Sequence, residues 1–342
     1  MTDHLIITAD ADHSSNEVCN WFYRYGVRFK RLNLDSYKEI NSKSDLYSDY
    51  FNFDNIDLSI PDEIVSFDID FKEKYRSIWY RRPNYNIDNM VVEQNLSGIS
   101  KFLFEKIRLN QKSELKELYE YIFNFSLKGS RVLGNRMKTR VNKLETLSLA
   151  VELGISIPRT KVLSCKSKLL EFQSEVNKTL ITKSIFEPIL ASDDLGRSFT
   201  SYTNLLTDSV LDKIPDQFFP SLVQEEIEKD FEIRTFVLGD EFYSMAIFSQ
   251  NNEQTAVDFR RYDLKRPNRT IPFILPNEFT DKIKDLLKII GLNTCSIDII
   301  KGANGKLYFL EINPVGQFGM VSKPCNYNLE YRIFKYLTND DE

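Results

Sequence analysis

Apolar and polar positions along this chain of 342 residues follow two periods. Leu5–Thr8 is a short apolar run after a polar start, which predicts a strand. Over Glu17–Tyr25 the residues Val18, Trp21, Phe22 and Tyr25 return at helical spacing, and Gly26 ends the pattern as a C-terminal helix stop. Val27–Leu32 predicts a second strand, so the chain opens strand–helix–strand, the start of an α/β domain. Ser14 and Ser15, with His13, fall after the first strand, where open α/β sheets place ligands and where a plain helix cap would also sit.

Lys38–Ile69 is rich in Asn, Asp, Ser, Tyr and Phe and reads as short strands and loops. Ser77–Tyr80 predicts a strand running into Arg81-Arg82-Pro83. Asn89–Phe125 predicts one or two amphipathic helices, with Leu96, Ile99, Phe102, Leu103, Ile107 and Leu109 on the apolar face. Ser130–Gly134 reads as a connector, and a helix follows over Arg140–Gly154 with Leu144, Leu147, Leu149, Ala150 and Leu153 inward. A linker and strand containing Pro158 follow over Ile155–Val162, and strands are then expected at Leu180–Ser184, Ser221–Glu228, Glu232–Leu238 and Glu241–Ser249. A helix over Thr280–Ile290 stops at Gly291, and Asn328–Leu337 is a last amphipathic helix. Between those helices stands CSIDIIKGANGKLYFLEINPVGQFG, Cys295–Gly319. Its β-rich runs Ser296–Lys301 and Lys306–Ile312 flank Gly302-Ala303-Asn304-Gly305, a hairpin signal.

Composition narrows the chemistry. With 42% hydrophobic and 28% charged residues the chain reads as globular and, at its length, multi-domain. Asp and Glu outnumber Lys and Arg, 50 to 45, for a net charge of −5, which argues against a nucleic-acid or anionic-membrane binder. No apolar stretch is long enough to span a bilayer, and MTDHLIITADADHSS lacks a signal peptide's basic start, so cytoplasmic residence is expected. Four cysteines scattered singly fit a reducing compartment, and two histidines make a zinc site or a Ser-His-Asp triad a poor reading. Carboxylates, lysines, arginines and a bound cofactor must do the chemistry.

Glu311 and Asn313, two apart on a strand, point the same way, and hairpin pairing can bring Asp298 to the same face. Two carboxylates and an amide oxygen suit a hard cation, most naturally Mg²⁺ held against phosphates. The same short pattern also fits acidic residues that merely face water. Arg81 and Arg82 at a strand end suit a carboxylate or phosphate contact, or a solvated basic turn. Lys183, inside a short apolar strand, either snorkels to the surface or is a fixed cation aimed at phosphates. No Walker glycine loop or GxGxxG is present, so phosphate charge would be met by lysines, arginines and metal.

The order of these pieces is a lysine opening a helix (Lys143), Lys183, a Gln-Glu strand, the basic turn Asp258-Phe259-Arg260-Arg261-Tyr262 and the oxygen-rich hairpin. From Ser130 to Gly319 it resembles the ATP-grasp superfamily of carboxylate–amine and carboxylate–alcohol ligases. WYRRP at Trp79–Pro83, VNKLETLSLAVELGISIPRT, and EINPVGQFG followed by PCNYNLE look like the peptide-maturing ATP-grasp enzymes that make graspetides. The opening, DHSSNEVCNWF and VRFKRLN, looks like the grasp-with-spasm branch.

The resemblance implies an α/β (α+β) ATP-grasp fold. Its expected parts are an N-terminal pre-ATP-grasp domain over 1–130, a central lid domain with leader-peptide binding over 131–222, and a C-terminal ATP- and Mg²⁺-binding domain over 223–342. It implies that Lys143 and Lys183 contact ATP phosphates and that Gln224, Glu225, Glu226 and Ile227 form the hinge strand that reads adenine. Glu232 would take the ribose, and Asp298, Glu311 and Asn313 would hold Mg²⁺. Arg260 would neutralise the transferring phosphate, and Arg234, Arg81 and Arg82 would orient the acceptor carboxylate or the acyl-phosphate. The segment after Lys183, SIFEPILASDDLGRSF, departs from the family by keeping one glycine, Gly196. The implied partner is a ribosomally made precursor peptide, leader plus core, with no nucleic acid or membrane and with a homodimer possible. The implied reaction puts the γ-phosphate of ATP on an Asp or Glu side chain and lets a hydroxyl or amine displace it. A ligase adding an amino acid to a protein or small acid is the alternative within the same superfamily.

Overall fold

A computed structural model describes residues 4–33, 48–53, 56–61, 75–83, 100–126, 129–186, 190–193, 197–200, 203–250 and 267–338. They divide into two compact units, 1–139 with 329–342, and 140–328.

The first unit is built on β1 (His4–Thr8), α1 (His13–Arg24), β2 (Phe29–Asn33), β5 (Ser77–Tyr80) and β6 (Arg131–Leu133), with the hairpin β3 (Ser48–Phe53)–β4 (Ile56–Pro61) and the helix α2 (Lys101–Ser126) between. The four strands form a parallel sheet in the order β2-β1-β5-β6. Every residue of β1 and β5 is buried, as strands covered on both faces require. The expected connector at Ser130–Gly134 is therefore the edge strand of this sheet, too short to announce itself by alternation. Asp12, not Ser14 or Ser15, is the N-cap of α1, and Ser15 sits in the first turn with its hydroxyl donating to the Asp12 carbonyl at 2.8 Å. Gly26 has φ +65, the left-handed conformation expected of a helix stop. The last helix, α8 (Leu329–Thr338), packs on α1, where the Phe334 ring stands edge-on to Phe22 at 5.0 Å.

The second unit runs α3 (Lys143–Glu152), β7 (Thr160–Cys165), α4 (Lys166–Val176), β8 (Leu180–Lys183), β9 (Leu190–Ser192), β10 (Ser198–Thr200), β11 (Asn204–Leu206), α5 (Asp208–Leu211) and β12 (Gln217–Glu225). It continues with β13 (Lys229–Leu238), β14 (Glu241–Phe248), β15 (Arg269–Phe273), α6 (Asn277–Ile290), β16 (Thr294–Gly302), β17 (Leu307–Asn313) and α7 (Gly319–Ser322). Two main antiparallel sheets result, beside the two-stranded β9–β10 pair. The smaller, β11-β8-β12-β7, packs Leu180 and Val223 against Leu169 and Phe172 of α4. The larger, β15-β14-β13-β16-β17, buries one face against α6 and α3. Although α3 precedes the smaller sheet in sequence, its Leu147 and Ala150 belong to the larger sheet's core. The segment after Lys183 pairs β9 with β10 as a second small hairpin; Gly196 lies outside the described residues. So do residues 38–47 and 89–99 of the expected strands and helices.

Candidate active site

Side chains on the larger sheet sort by parity. Ile233, Val237, Cys295, Ile297 and Ile299 enter the core against α6 and α3. The residues between them, Glu232, Arg234, Phe236, Ser296 and Asp298, therefore belong to the opposite face. The β16–β17 hairpin pairs Ser296 with Asn313, Ile297 with Ile312 and Asp298 with Glu311, then Ile299 with Phe309. That shift is a bulge. It lets Phe309 and Ile312 share the core while Glu311 takes its place opposite Asp298. On the other side of β16, Arg234 is the register partner of Asp298.

These residues are joined by charge. Arg234 Nη1 donates to Asp298 Oδ1 at 2.6 Å. Lys143 Nζ lies 3.0 Å from Glu311 Oε2 and donates to the Ser184 carbonyl at 2.8 Å, so one ammonium ties the start of α3 to the hairpin and to the residue after Lys183. Asn142 caps α3, its Oδ1 accepting from the Leu144 and Glu145 N–H groups, which fixes where Lys143 leaves the helix. Asn313 is exposed and its Oδ1 accepts from Val315 N–H at 3.1 Å. Lys183 is half-buried at the end of β8, opposite Leu222.

Glu232, two residues before Arg234, is buried. Its Oε1 accepts from Lys229 Nζ at 2.6 Å and from Ser249 Oγ at 2.9 Å. Burial pushes its pKa above the usual carboxylate value, opposed by Lys229 and Ser249.

The end of β12 holds the other group of expected residues. Gln224 is fully buried; its amide donates to Thr160 Oγ1 at 2.8 Å while its Oε1 meets no partner among the described residues. Glu225 Oε1 accepts from Arg159 N–H at 2.9 Å, and Lys178 Nζ lies 3.8 Å from its other oxygen. Glu226 N–H donates to the Thr179 carbonyl at 2.9 Å. Ile227, buried between strands β12 and β13 in the chain, makes no backbone hydrogen bond among the described residues.

Arg81 and Arg82 meet in the first unit. Both N–H groups donate to the Ile7 carbonyl, and both guanidinium groups lie against Asp12, at 3.2 Å and 3.4 Å. Thr8 Oγ1 donates to the same carboxylate at 3.1 Å. Burial lowers the pKa of Arg81 and Asp12 opposes that shift. Asp12 escaped the sequence reading, as did Lys229, Ser249 and the Ser184 carbonyl. Of these only Asp12, an acid immediately before a helix, carried a local signal. Arg260 and its basic turn lie outside the described residues.

The RimK-like ATP-grasp domain family matches residues 140–337, more than half of the chain. The chain belongs to that family. Among relatives, the α-aminoadipate–LysW ligase LysX of Sulfurisphaera tokodaii is 28% identical over 207 residues, 57% of this chain. The chain matches 66% of that relative's length, just under two thirds. Among solved structures, the RiPP-associated ATP-grasp ligase of Chryseobacterium gregarium, in complex with ADP and a leader and core peptide, is 23% identical with a TM-score of 0.70, covering 98% of this chain and 95% of its own. The macrocyclase MdnC of Microcystis aeruginosa, bound with precursor peptide MdnA, is 25% identical with a TM-score of 0.68 over 99% of both chains. The α/β ATP-grasp fold expected from the sequence is thus the fold of this protein, and these likenesses extend over the first unit as well as the family match.

ATP-grasp enzymes use ATP with Mg²⁺, and the donor set suits that ion. Among the described residues no three His, Cys, Asp or Glu side chains gather to hold a metal by themselves. What the sheet offers is two carboxylates opposed in register and one amide oxygen. Mg²⁺ is commonly held in this way, by one or two carboxylates with phosphate oxygens and water completing its shell. Lys143 and Arg234 put positive charge directly against those two carboxylates. Among the described residues no helix is long and apolar enough to cross a membrane.

Proposed function

We propose that this ATP-grasp chain is a peptide macrocyclase. It activates Asp or Glu side chains of a ribosomal precursor peptide and joins them to Thr, Ser or Lys side chains as esters or amides. The observation that carries this reading is the likeness to MdnC, a macrocyclase solved with its precursor peptide, across 99% of both chains. Two carboxylates, an amide oxygen and the cations beside them support it, and the reaction needs no enzyme nucleophile.

In this reading Asp298, Glu311 and Asn313 hold Mg²⁺, and Lys143 and Lys183 contact the phosphates. Gln224 to Ile227 bind adenine; the backbone groups of Ile227 that no described residue satisfies and the unpartnered Gln224 Oε1 support that role. Glu232 takes the ribose. Bound ATP supplies the phosphoryl group and Mg²⁺ draws charge from its oxygens. Arg234, and Arg260 in its basic turn, offset the charge that develops when a carboxylate is phosphorylated. Arg81 and Arg82, splayed on Asp12, orient the incoming carboxylate by paired donors. The peptide's own hydroxyl or amine then displaces phosphate. Because both partners sit on one bound chain, peptide binding has already met the entropy cost of bringing them together. The central 131–222 stretch, which holds α4 and all of the smaller sheet but the end of β12, is the lid and the leader-binding part, falling in sequence between the 1–130 domain and the 223–342 ATP module.

The test is the intact mass of a precursor peptide rich in Thr and acidic residues, co-expressed with the protein. The reading requires loss of one water per cross-link, absent with Glu311→Gln, and mild alkaline hydrolysis then separates esters from amides. Unchanged mass despite peptide-stimulated ADP formation would favour an amino-acid ligase, as the match to LysX suggests.

A further inference from the structure

The loop after β17 lies on β16 with no space to spare. A Cβ built on Gly316 would overlap Ser296 Oγ and Cβ and stand 2.9 Å from Ser296 N. Gly316 is not among the glycines with positive φ, so this position needs glycine for room and not for backbone conformation. Ser296 is fully buried, and its register partner across the hairpin is Asn313. Among the described residues its Oγ meets no hydrogen-bond partner, so the side chain acts there as volume. Between Asn313 and Gly316 the chain turns tightly. Val315 N–H donates to Asn313 Oδ1 and Gly316 N–H to the Asn313 carbonyl, each at 3.1 Å. Two residues on, the fully buried Phe318 packs its ring 5.3 Å from that of Phe236 on β13.

We propose that the contact of Gly316 with Ser296 is a positioning device for the Asn313 amide. The turn is pinned on the sheet at Gly316 and again at Phe318, and Val315 N–H holds one lone pair of Asn313 Oδ1, leaving the other for a cation. This rests on the reading of Asp298, Glu311 and Asn313 as Mg²⁺ ligands. A methyl group at 316 cannot be met by moving Ser296, because β16 is hydrogen-bonded to β13 on one side and β17 on the other. The loop must lift, and it carries Asn313 with it. Loss of a partner that orients a metal ligand weakens metal affinity about 10–100-fold.

The experiment is calorimetric ADP binding at a series of Mg²⁺ concentrations, without peptide, alongside melting curves. Gly316→Ala should raise the Mg²⁺ requirement about 10–100-fold, and Asn313→Ala should do the same with no further loss in the double variant. Ser296→Gly/Gly316→Ala takes away the side chain that the new methyl group would overlap and leaves only the 2.9 Å approach to the backbone N of residue 296, so it should recover most of the wild-type requirement. If Gly316→Ala does not fold, Ser296→Gly carries the test: emptying the space must weaken Mg²⁺ binding in a protein that still melts cooperatively, and refilling it with Gly316→Ala must recover it. A wild-type Mg²⁺ requirement in a folded Gly316→Ala or Ser296→Gly variant, or no recovery in the swap, overturns the proposal. If Asn313→Ala leaves Mg²⁺ binding unchanged, the ligand reading itself fails, whatever Gly316 does.

Discussion

Replacing Arg234 by Gln takes from Asp298 the guanidinium that lies 2.6 Å away in the middle of the larger sheet. Both side chains are close to buried, at 9% and 11% exposure, so water replaces little of the lost contact. Truncating one member of a buried ion pair costs about 3–5 kcal/mol. With some residual exposure the low end applies, about 3 kcal/mol. For a domain of this size each kcal/mol moves the melting temperature by about 2–4 °C, which gives a fall of about 6–12 °C. Differential scanning calorimetry with and without Mg²⁺ and ADP reads it directly. Arg234→Met/Asp298→Leu, which replaces the pair by apolar volume, should regain most of that stability, because the desolvation cost goes with the charges. Neither variant should condense peptide. A melting point within about 2 °C of wild type for Arg234→Gln would refute the reasoning, since that is how a screened surface pair behaves.

Other expectations follow from the same geometry. Glu311→Gln should lower peptide-dependent ADP formation by more than about 100-fold, exceeding the loss of an outer-shell partner, while circular dichroism stays native. Asn142→Ala removes the cap of α3 and should cost about 1 kcal/mol in melts, with a raised KM for ATP because Lys143 follows the cap. Burial raises the pKa of Glu232, so the folded state holds its proton to higher pH than the unfolded chain does. The contribution of this group to stability is therefore greatest at low pH and is lost as pH rises from the ordinary glutamate value, about 4.3, through the raised folded value. Melting curves across that range should show this part of the slope disappear in Glu232→Gln, on top of a uniform loss from leaving Lys229 without its carboxylate.

Strand and helix positions around the site were legible because each obeys a local rule. The Gly302–Gly305 turn fixes the hairpin, and period-two alternation predicts that Glu311 and Asn313 share a face. The pairing of Asp298 with Glu311 was legible only as a possibility, since it depends on a bulge that no residue type announces. Periodicity marks the buried face of α3 and α8 but not what covers it, and over α2 it marks Phe102, Leu103 and Leu109, which are exposed. Hence α3 falls in the core of the larger sheet rather than with the smaller sheet that follows it, and α8 packs beside α1. Lys143 was marked by its place at a helix start, yet its contacts with Ser184 and Glu311 join residues far apart in the chain. Asp12 and Ser249 act through partners equally remote in sequence, and Gly316 is decided by a close approach that only packing can reveal.

In the proposed reaction a peptide carboxylate is activated by phosphoryl transfer and then displaced within the same peptide. This is tested most directly by labelling the precursor's side-chain carboxylates with ¹⁸O, incubating the peptide with the protein, ATP and Mg²⁺, and measuring the label in the phosphate released. ADP should be the nucleotide product, with one ¹⁸O atom in phosphate for each water lost from the peptide. Unlabelled phosphate, or AMP in place of ADP, would contradict it.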